Sequence, residues 1–201
     1  MRTARDLVDA VVRFGAWMAQ HDDEIVPCVQ WLLDRGPVER VLEIGAHGGG
    51  STVLMCELAV MQMISVDLPN GIHGGLSVEL CEARNTRLLA LYPHFVGILG
   101  NSHAPETLDR VTRVLNGAKL DVLFIDGDHR YASVLGDYDC YHGFVRSGGV
   151  ILFHDIEDTE YHRSNAEAPV EVCRLWRELQ GEKHEFTIHG IWGGLGALVV
   201  P

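Results

Sequence analysis

The chain has 201 residues, of which 47% are hydrophobic and 22% are charged, and these proportions are typical of one globular α/β domain. The net charge is −12 and no Lys/Arg cluster occurs, which argues against nucleic acid as a partner. The scattered cysteines and the lack of a long apolar run predict a cytoplasmic protein with reduced thiols and no membrane partner.

Two helices are predicted before the first strand. The first covers the first twenty residues, where apolar residues follow helical spacing from Leu7 to Met18, and the second covers Ile25 to Arg35, starting near Pro27. Strands and helices then alternate. The predicted strands are Arg40 to Ile44, Met63 to Val66, Phe95 to Leu99, Leu120 to Ile125 and Val150 to Phe153. The predicted helices are Ser51 to Val60, Leu76 to Leu91, Pro105 to Leu115, Tyr131 to Val145 and Pro169 to Leu179.

Two last strands, Glu185 to His189 and Gly196 to Val200, have no helix between them, which suggests a hairpin at one edge of the sheet, with its turn in Gly190 to Gly194. Five alternating units predict a doubly wound, Rossmann-like α/β sheet in a single domain over residues 1–201. Residues 1–36 would form a lid over the site or a contact in a homo-oligomer.

The loop after the first strand, in VLEIGAHGGGS, joins a strand to a helix through glycines, as nucleotide-binding loops do. Gly45, Ala46 and Gly48 are candidate cofactor contacts, although His47 occupies the middle glycine position of the dinucleotide fingerprint. A glycine-rich turn that binds no ligand is the alternative.

Two carboxylates make a cofactor the better interpretation of that loop. Asp67 ends the second strand 22 residues after Gly45, a spacing suited to binding ribose hydroxyls. Glu43 would repel a phosphate, so a ligand with a ribose but no pyrophosphate, such as S-adenosylmethionine, fits better than NAD. The third strand is followed by Asn101 and Ser102, which would either lie near an adenine edge or cap the helix that starts at Pro105.

Acidic and imidazole groups follow two neighbouring strands. Asp126 and His129 come after the strand Leu120 to Ile125, while His154 and Asp155 end the strand Val150 to Phe153. Because carboxyl ends of parallel strands meet at one edge, these groups predict a hard-metal or acid/base site. Strand alternation leaves open whether His154 and Asp155 face the same side.

The chain resembles class I S-adenosylmethionine-dependent methyltransferases of methyltransferase family 24, the group of cephalosporin hydroxylase-like proteins and macrolide O-methyltransferases. The matching segments run from Leu42 to Val199 and are LEIGAHGGGST, SVDLPNGIHGG, LGNSH, DVLFIDGDHRY, SGGVILFHDI, VCRLWRELQ and GLGALV. The resemblance implies a sheet of order 3-2-1-4-5-7-6 with an antiparallel last strand. Some relatives carry a carboxylate where this chain has His154.

The resemblance also implies roles for individual residues. It implies that Glu43, Gly45, Asp67 and Ser102 line the cofactor pocket. It further implies that Asp126 and Asp155 hold a divalent metal, Mg²⁺ or Mn²⁺, and that His129 is the general base. An imidazole with an ordinary pKa near about 6.5 suits that role, so the rate should rise through a pKa of about 6–7.

The predicted function is a metal-assisted O-methyltransferase that uses S-adenosylmethionine and acts on a small hydroxylated acceptor. In this function Asp126 and His129 would be the catalytic pair, and His154 would join Asp126 and Asp155 around the metal. Two alternatives stay open: a hydroxylase-like oxidoreductase using nicotinamide or Fe(II), and a non-catalytic domain that only binds a cofactor.

Overall fold

A computed structural model describes residues 2–72, 74–164, 169–188 and 193–201. Its helices are α1 Ala4–Phe14, α2 Asp22–Asp34, α3 Gly50–Leu58, α4 Val78–Leu91, α5 Pro105–Leu115, α6 Tyr131–Tyr141, α7 Glu160–Ser164 and α8 Val172–Glu178, with a 3₁₀ turn at His142–Phe144. Its strands are β1 Arg40–Ile44, β2 Gln62–Asp67, β3 Phe95–Leu99, β4 Leu120–Ile125, β5 Val145–His154, β6 Glu182–Phe186 and β7 Leu195–Val199.

The seven strands form one sheet in the order β3-β2-β1-β4-β5-β7-β6, which confirms the predicted order. The first five strands are parallel to one another, and β7 runs antiparallel to both β5 and β6. The order reverses between β1 and β4, and an open sheet of this kind binds ligands beyond the carboxyl ends of its strands at that reversal. The adjacent antiparallel pair β6 and β7 confirms the expected pairing at one edge, and residues 190–192 of its predicted turn lie outside the described residues.

The sheet separates two apolar layers because successive strand residues point to opposite faces. Val41 and Phe124 pack on the face covered by α1, α2 and α3, whereas Leu42 and Leu123 pack on the face covered by α5, α6 and α8. Strands buried on both faces are expected to be almost continuously apolar, as β4 is. Among the described residues, no helix is long and apolar enough to cross a membrane.

Helix α1 belongs to the core and is closed by definite signals at both ends. Thr3 caps it in a reciprocal capping box with Asp6, and Gly15 ends it in the left-handed region at φ 75°. Helicity therefore stops at Phe14, several residues before the end that the periodicity up to Met18 suggested. Six of its side chains are buried against α3 and its neighbours, so α1 is part of the packed domain.

The sequence placed β1, β3, β4 and α5 at the residues they occupy, and the other boundaries differ by a few residues. Helix α2 starts at Asp22, ahead of Pro27, because His21 and Glu24 form a capping box there. Helix α6 stops at Tyr141 and gives way to a 3₁₀ turn, since β5 already begins at Val145 and pairs with β4 from that residue. The strand predicted over Glu185 to His189 lies at Glu182–Phe186, and His189 is outside the described residues.

Candidate active site

A cavity of about 1000 Å³ opens beyond the carboxyl ends of β1 to β5. Loops that follow these strands supply most of its wall, and the connection between α1 and α2 and residues of α3, α6 and α7 complete it. The predicted site residues that line it are Gly45, Ala46, Gly48, Asp67, Asn101, Ser102, Asp126, His129, His154 and Asp155. The two halves of the predicted site, for cofactor and for metal, therefore share one cavity.

The turn after β1 is shaped by close contact with the end of β4. Gly45 has a φ of 91°, and a Cβ there would lie 2.1 Å from the carbonyl oxygen of Asp126, so only glycine fits. His47 adopts a left-handed φ of 42°, a conformation that glycine usually supplies. The loop thus makes its sharp turn even though the glycine fingerprint is interrupted.

Asp67 lies at the end of β2 with both carboxylate oxygens facing donors. The backbone N–H of Ala46 donates to its Oδ1 at 3.2 Å, and the Arg84 guanidinium donates to its Oδ2 at 2.7 Å. Arg84 is itself almost fully buried and also donates to the carbonyl of His47. The guanidinium therefore ties α4 to the turn after β1 and fixes the orientation of the Asp67 side chain at the cavity wall.

Glu43 occupies a different place from the other predicted cofactor residues. It is fully buried within β1, accepts a hydrogen bond of 2.6 Å from the Thr52 hydroxyl, and does not line the cavity. Burial raises the pKa of Glu43 to about 7. Through its contact with Thr52, Glu43 stabilises α3 from the core side, away from the cavity.

Asn101 and Ser102 both line the cavity beyond β3, and each also makes a local bond. Asn101 Oδ1 accepts from the backbone N–H of His103 at 2.9 Å, and no side-chain bond caps α5. The Ser102 hydroxyl donates to Asp137 Oδ1 at 2.6 Å. Neither residue caps α5, so the prediction that they would cap the helix starting at Pro105 is wrong.

Asp126, His129, His154 and Asp155 form one connected cluster. His129 Nδ1 lies 2.8 Å from Asp155 Oδ2, and its Nε2 lies 3.5 Å from Asp126 Oδ1. His154 Nδ1 lies 3.2 Å from Asp126 Oδ1 and 3.6 Å from Asp155 Oδ1. One ligand atom each from Asp126, His154 and Asp155 lies within 4.8 Å of the others, a span that a single divalent ion with ligands at about 2.0–2.6 Å can bridge.

A left-handed residue brings His154 and Asp155 to the same side. Asp155 has a φ of 62°, an unusual conformation for a residue other than glycine. This rotation breaks the alternation of β5 at its last residue, so both side chains reach Asp126. Backbone strain of this kind is typical of residues that surrounding structure holds for a function.

The two carboxylates dominate the electrostatics of the cluster. Burial alone would lower the pKa of His129, but its contacts with Asp126 and Asp155 outweigh burial and raise that pKa to about 10. The same carboxylates raise the pKa of His154 to about 9 against the effect of burial. Despite burial, the pKa of Asp155 is held well below its ordinary value by the imidazoles. In this arrangement His129 carries a proton, contrary to the expected pKa of about 6–7.

Two residues of the cluster gave no firm signal in the sequence. Gln20, in the connection before α2, donates from Nε2 to Asp126 Oδ2 at 2.7 Å and is nearly fully buried. His162 lies in α7, a helix that was not predicted from the sequence, and its Nε2 is 3.3 Å from Asp155 Oδ1. Gln20 is 106 residues from Asp126, so no local pattern could reveal it. His162 is close to Asp155 in sequence, but the short helix that turns its ring towards Asp155 had no signal of its own.

The connection between α1 and α2 lies directly over the start of α3. A Cβ on Gly50 would come within 2.3 Å of the Trp17 carbonyl oxygen and 2.7 Å of Met18 Cα. Trp17 and Met18 also line the cavity, and the Trp17 ring meets His47 edge-on at 6.0 Å between ring centroids. The N-terminal segment thus forms one wall of the site.

Comparison with known proteins agrees with this geometry. Residues 42–156, more than half of the chain, match the family described as a methyltransferase domain, methyltransferase family 24. The chain belongs to this methyltransferase family. The match runs from β1 to the residue after Asp155, so it includes every predicted site residue, while Gln20 and His162 of the methyltransferase lie outside it.

Individual relatives resemble the methyltransferase over different lengths. Uncharacterized protein R132 of Acanthamoeba polyphaga mimivirus is 30% identical over 145 residues, which are 71% of this chain and 62% of that protein. The crystal structure of a putative caffeoyl-CoA O-methyltransferase from Staphylococcus aureus has a TM-score of 0.67 at 14% identity and covers 100% of this chain and 93% of that one.

A third similar structure contains ligands. It is the MycE methyltransferase of the mycinamycin biosynthetic pathway in complex with Mg, SAH and mycinamycin VI, with a TM-score of 0.62 at 19% identity, and it covers 97% of this chain. The chain spans 54% of the length of MycE and 62% of the viral relative, so both contain further sequence. At these identities the solved structures show a shared fold.

Proposed function

We propose that the protein is an S-adenosylmethionine-dependent O-methyltransferase that uses a divalent cation and acts on a small hydroxylated acceptor. The observation that carries this proposal is that one cavity contains both Asp67, suited to a ribose, and the cluster of Asp126, His154 and Asp155, suited to a metal. The complex of MycE with Mg and SAH, which shares the fold, supports the same pairing of ligands.

The lining of the cofactor half of the cavity supports an adenosyl group linked to an amino acid as its ligand. Asp67 would accept from a ribose hydroxyl at Oδ1, which retains a lone pair beside the Ala46 N–H, whereas Oδ2 already meets Arg84 and the Cys81 thiol. Gly48 and Ser51 line the cavity at the start of α3, where free backbone N–H groups favour a carboxylate. When bound, S-adenosylmethionine supplies an electrophilic methyl group for in-line displacement by an oxygen.

The metal half has the donor set of a hard or borderline cation. Two carboxylates and one imidazole, which would hold the ion, suit Mg²⁺ or Mn²⁺ and also tolerate iron. A cation there would supply Lewis acidity that lowers the pKa of the acceptor hydroxyl. Gln20 and His162 fix the carboxylates of Asp126 and Asp155 from the outer side.

His129 would take the proton from the acceptor. Its ring lies between the two carboxylates at the cavity, with 18% of the side chain exposed. Asp126 and Asp155 now keep a proton on the ring, so neutralisation of their charge is the condition under which the pKa of His129 falls and the ring becomes a base.

Calorimetric titration with S-adenosylhomocysteine tests the cofactor half. The wild-type protein should bind it at micromolar concentrations, and Asp67→Asn should bind it more weakly by about 1.5–3 kcal/mol, the scale of hydrogen bonds to a charged group. Asp67→Asn is preferable to Asp67→Ala, because the amide keeps an acceptor oxygen for the buried Arg84 whereas alanine leaves none at this position.

Asp109→Asn is the matched control, because Asp109 is exposed and pairs with Arg113 on the same helix. Tight binding of NADH without binding of S-adenosylhomocysteine would refute the proposal. For the metal half, a chelator should abolish methyl transfer in an acceptor screen and Mg²⁺ or Mn²⁺ should restore it.

A further inference from the structure

A buried carboxylate that neither half of the proposed mechanism uses lies beside the cavity. Asp137 is in α6, its side chain is 2% exposed, and it lines the cavity between the loops that follow β3 and β4. Burying an ionisable carboxylate is costly unless donors satisfy it. The hydrogen-bond donors around the two oxygens of Asp137 therefore indicate whether either oxygen is left to bind a ligand.

Both donors to Asp137 meet the same oxygen. The Ser102 hydroxyl lies 2.6 Å and His103 Nε2 lies 3.0 Å from Asp137 Oδ1. The Tyr141 hydroxyl donates to the Ser102 carbonyl at 2.7 Å, which fixes the loop after β3 against α6. The carboxylate is thus held in one orientation by two elements.

The second oxygen, Asp137 Oδ2, faces a different neighbour. A Cβ on Gly127 would lie 3.6 Å from it, and Gly127 lines the cavity. Within the described part of the chain, no group donates a hydrogen bond to Oδ2. A carboxylate oxygen at the cavity wall with unused lone pairs is a specific receptor for a ligand N–H or O–H.

The way in which S-adenosylmethionine would lie in the cavity brings its purine base to Asp137 Oδ2. Asp67 pairs with Leu99 in the sheet register, so the loop of Asn101 and Ser102 is next to the residue that would bind the ribose. The amino-acid end of the ligand would extend towards the start of α3 and the cluster around Asp126. The base attached to the ribose must then lie on the opposite side, against the loop after β3 and Asp137.

We infer that Asp137 is the residue that selects adenine, by accepting a hydrogen bond at Oδ2 from the exocyclic amino group of the base. This inference rests on the proposed function and identifies the residue of the same cavity that would distinguish adenine from other purines. A 6-oxo purine would place a carbonyl oxygen against the carboxylate, so hypoxanthine should be rejected. Ser102 and His103 would act as positioning residues that orient the carboxylate.

The test compares S-adenosylhomocysteine with S-inosylhomocysteine, which differ at the base edge alone. By calorimetry, wild type should bind the adenine compound on the order of 10- to 100-fold more tightly, the scale of a hydrogen bond to a charged group. In Asp137→Asn the amide can donate to a 6-oxo group, so this preference should shrink at least about 10-fold. Asp139→Asn, an exposed carboxylate on the same helix, should keep the wild-type preference.

The outcomes separate this inference from the proposed function. If wild type binds neither compound, the proposed function fails. If it binds the adenine compound and Asp137→Asn keeps the wild-type preference, Asp137 does not read the base. Should Asp137→Asn melt early, the N6,N6-dimethyl analogue tested on wild type replaces it: a loss of about 10-fold or more supports the inference, and a smaller loss overturns it.

Discussion

The two carboxylates that hold His129 in place also keep its ring protonated. The ring can accept a proton from the acceptor only when their negative charge is neutralised. Its nitrogens lie 2.8 Å from Asp155 Oδ2 and 3.5 Å from Asp126 Oδ1, so both ring positions are engaged. The ring is therefore well positioned at the cavity but not yet basic. The position of the His129 ring and its proton affinity are separate properties, and substitution of His129 tests whether the ring at this position is needed for the reaction.

His129→Gln should lower the rate of methyl transfer by about 10²–10⁴-fold, the usual contribution of a general base. Affinity for S-adenosylhomocysteine should stay nearly unchanged, because the ring need not contact the cofactor. Steady-state rates and calorimetry measure the two effects. His142→Gln is the control, since His142 is exposed on the 3₁₀ turn and stacks on Tyr138. Full activity in His129→Gln would mean that the ring is structural.

Single residues explain where the sequence was informative and where it was not. Asp126 and Asp155 could be found because each ends an apolar strand, and parallel strands end at a common edge. The left-handed φ of Asp155 could not be found, since it depends on how the following segment packs. Gln20 is more than a hundred residues from Asp126, its partner, and carries no pattern of its own.

At the scale of elements, the connection between α1 and α2 and the start of α3 are packed backbone to backbone. The contact depends on Gly50, which is the first residue of α3 and leaves no room for a Cβ beneath Trp17 and Met18. Close backbone approach of this kind transmits any displacement of α3 to the cavity wall. The wall formed by the N-terminal segment is thus coupled to the loop that would bind the cofactor.

Gly50→Ala should destabilise the protein by roughly 1–3 kcal/mol, as overpacking usually does, although alanine is the better helix former. Gly48→Ala is the matched control, because a Cβ there would lie 3.7 Å from the Trp17 carbonyl, an ordinary contact. Urea unfolding of both variants provides the comparison. Equal stabilities would show that the segment over α3 is not fixed as described.

Elements with strong local signals were predictable, and those made by tertiary packing were not. The apolar runs of β1, β3 and β4 set their own ends, and Pro105 sets the start of α5. Helix α7 has five residues and lies in a polar stretch, so its sequence resembles a loop. It is instead anchored at His162, which meets Asp155 inside the protein.

For the molecule as a whole, the cluster of Asp126, His154 and Asp155 brings Asp126 together with a pair of residues 28 and more positions away in the unfolded chain. A cation that binds only the folded protein raises the free energy of unfolding by about 2.7 kcal/mol at 100 times its dissociation constant. For a chain of this size we expect Mg²⁺ or Mn²⁺ to raise Tm by roughly 5–10 °C under those conditions.

Asp155→Asn should remove this increase in Tm, while Asp158→Asn, which alters an exposed carboxylate paired with Arg163, should retain it. Thermal unfolding with and without a chelator measures the effect. A cation response that survives in Asp155→Asn would place the cation elsewhere.

The position of β7 also constrains how the protein can be made. This strand is the last element along the chain, yet it lies between β5 and β6 and provides the only described partner of β6. On a ribosome, the edge of β5 therefore stays unpaired until Leu195–Val199 have been synthesised and released from the exit tunnel. An unpaired strand edge readily joins other chains, so the nascent domain stays exposed to aggregation until β7 has paired with β5.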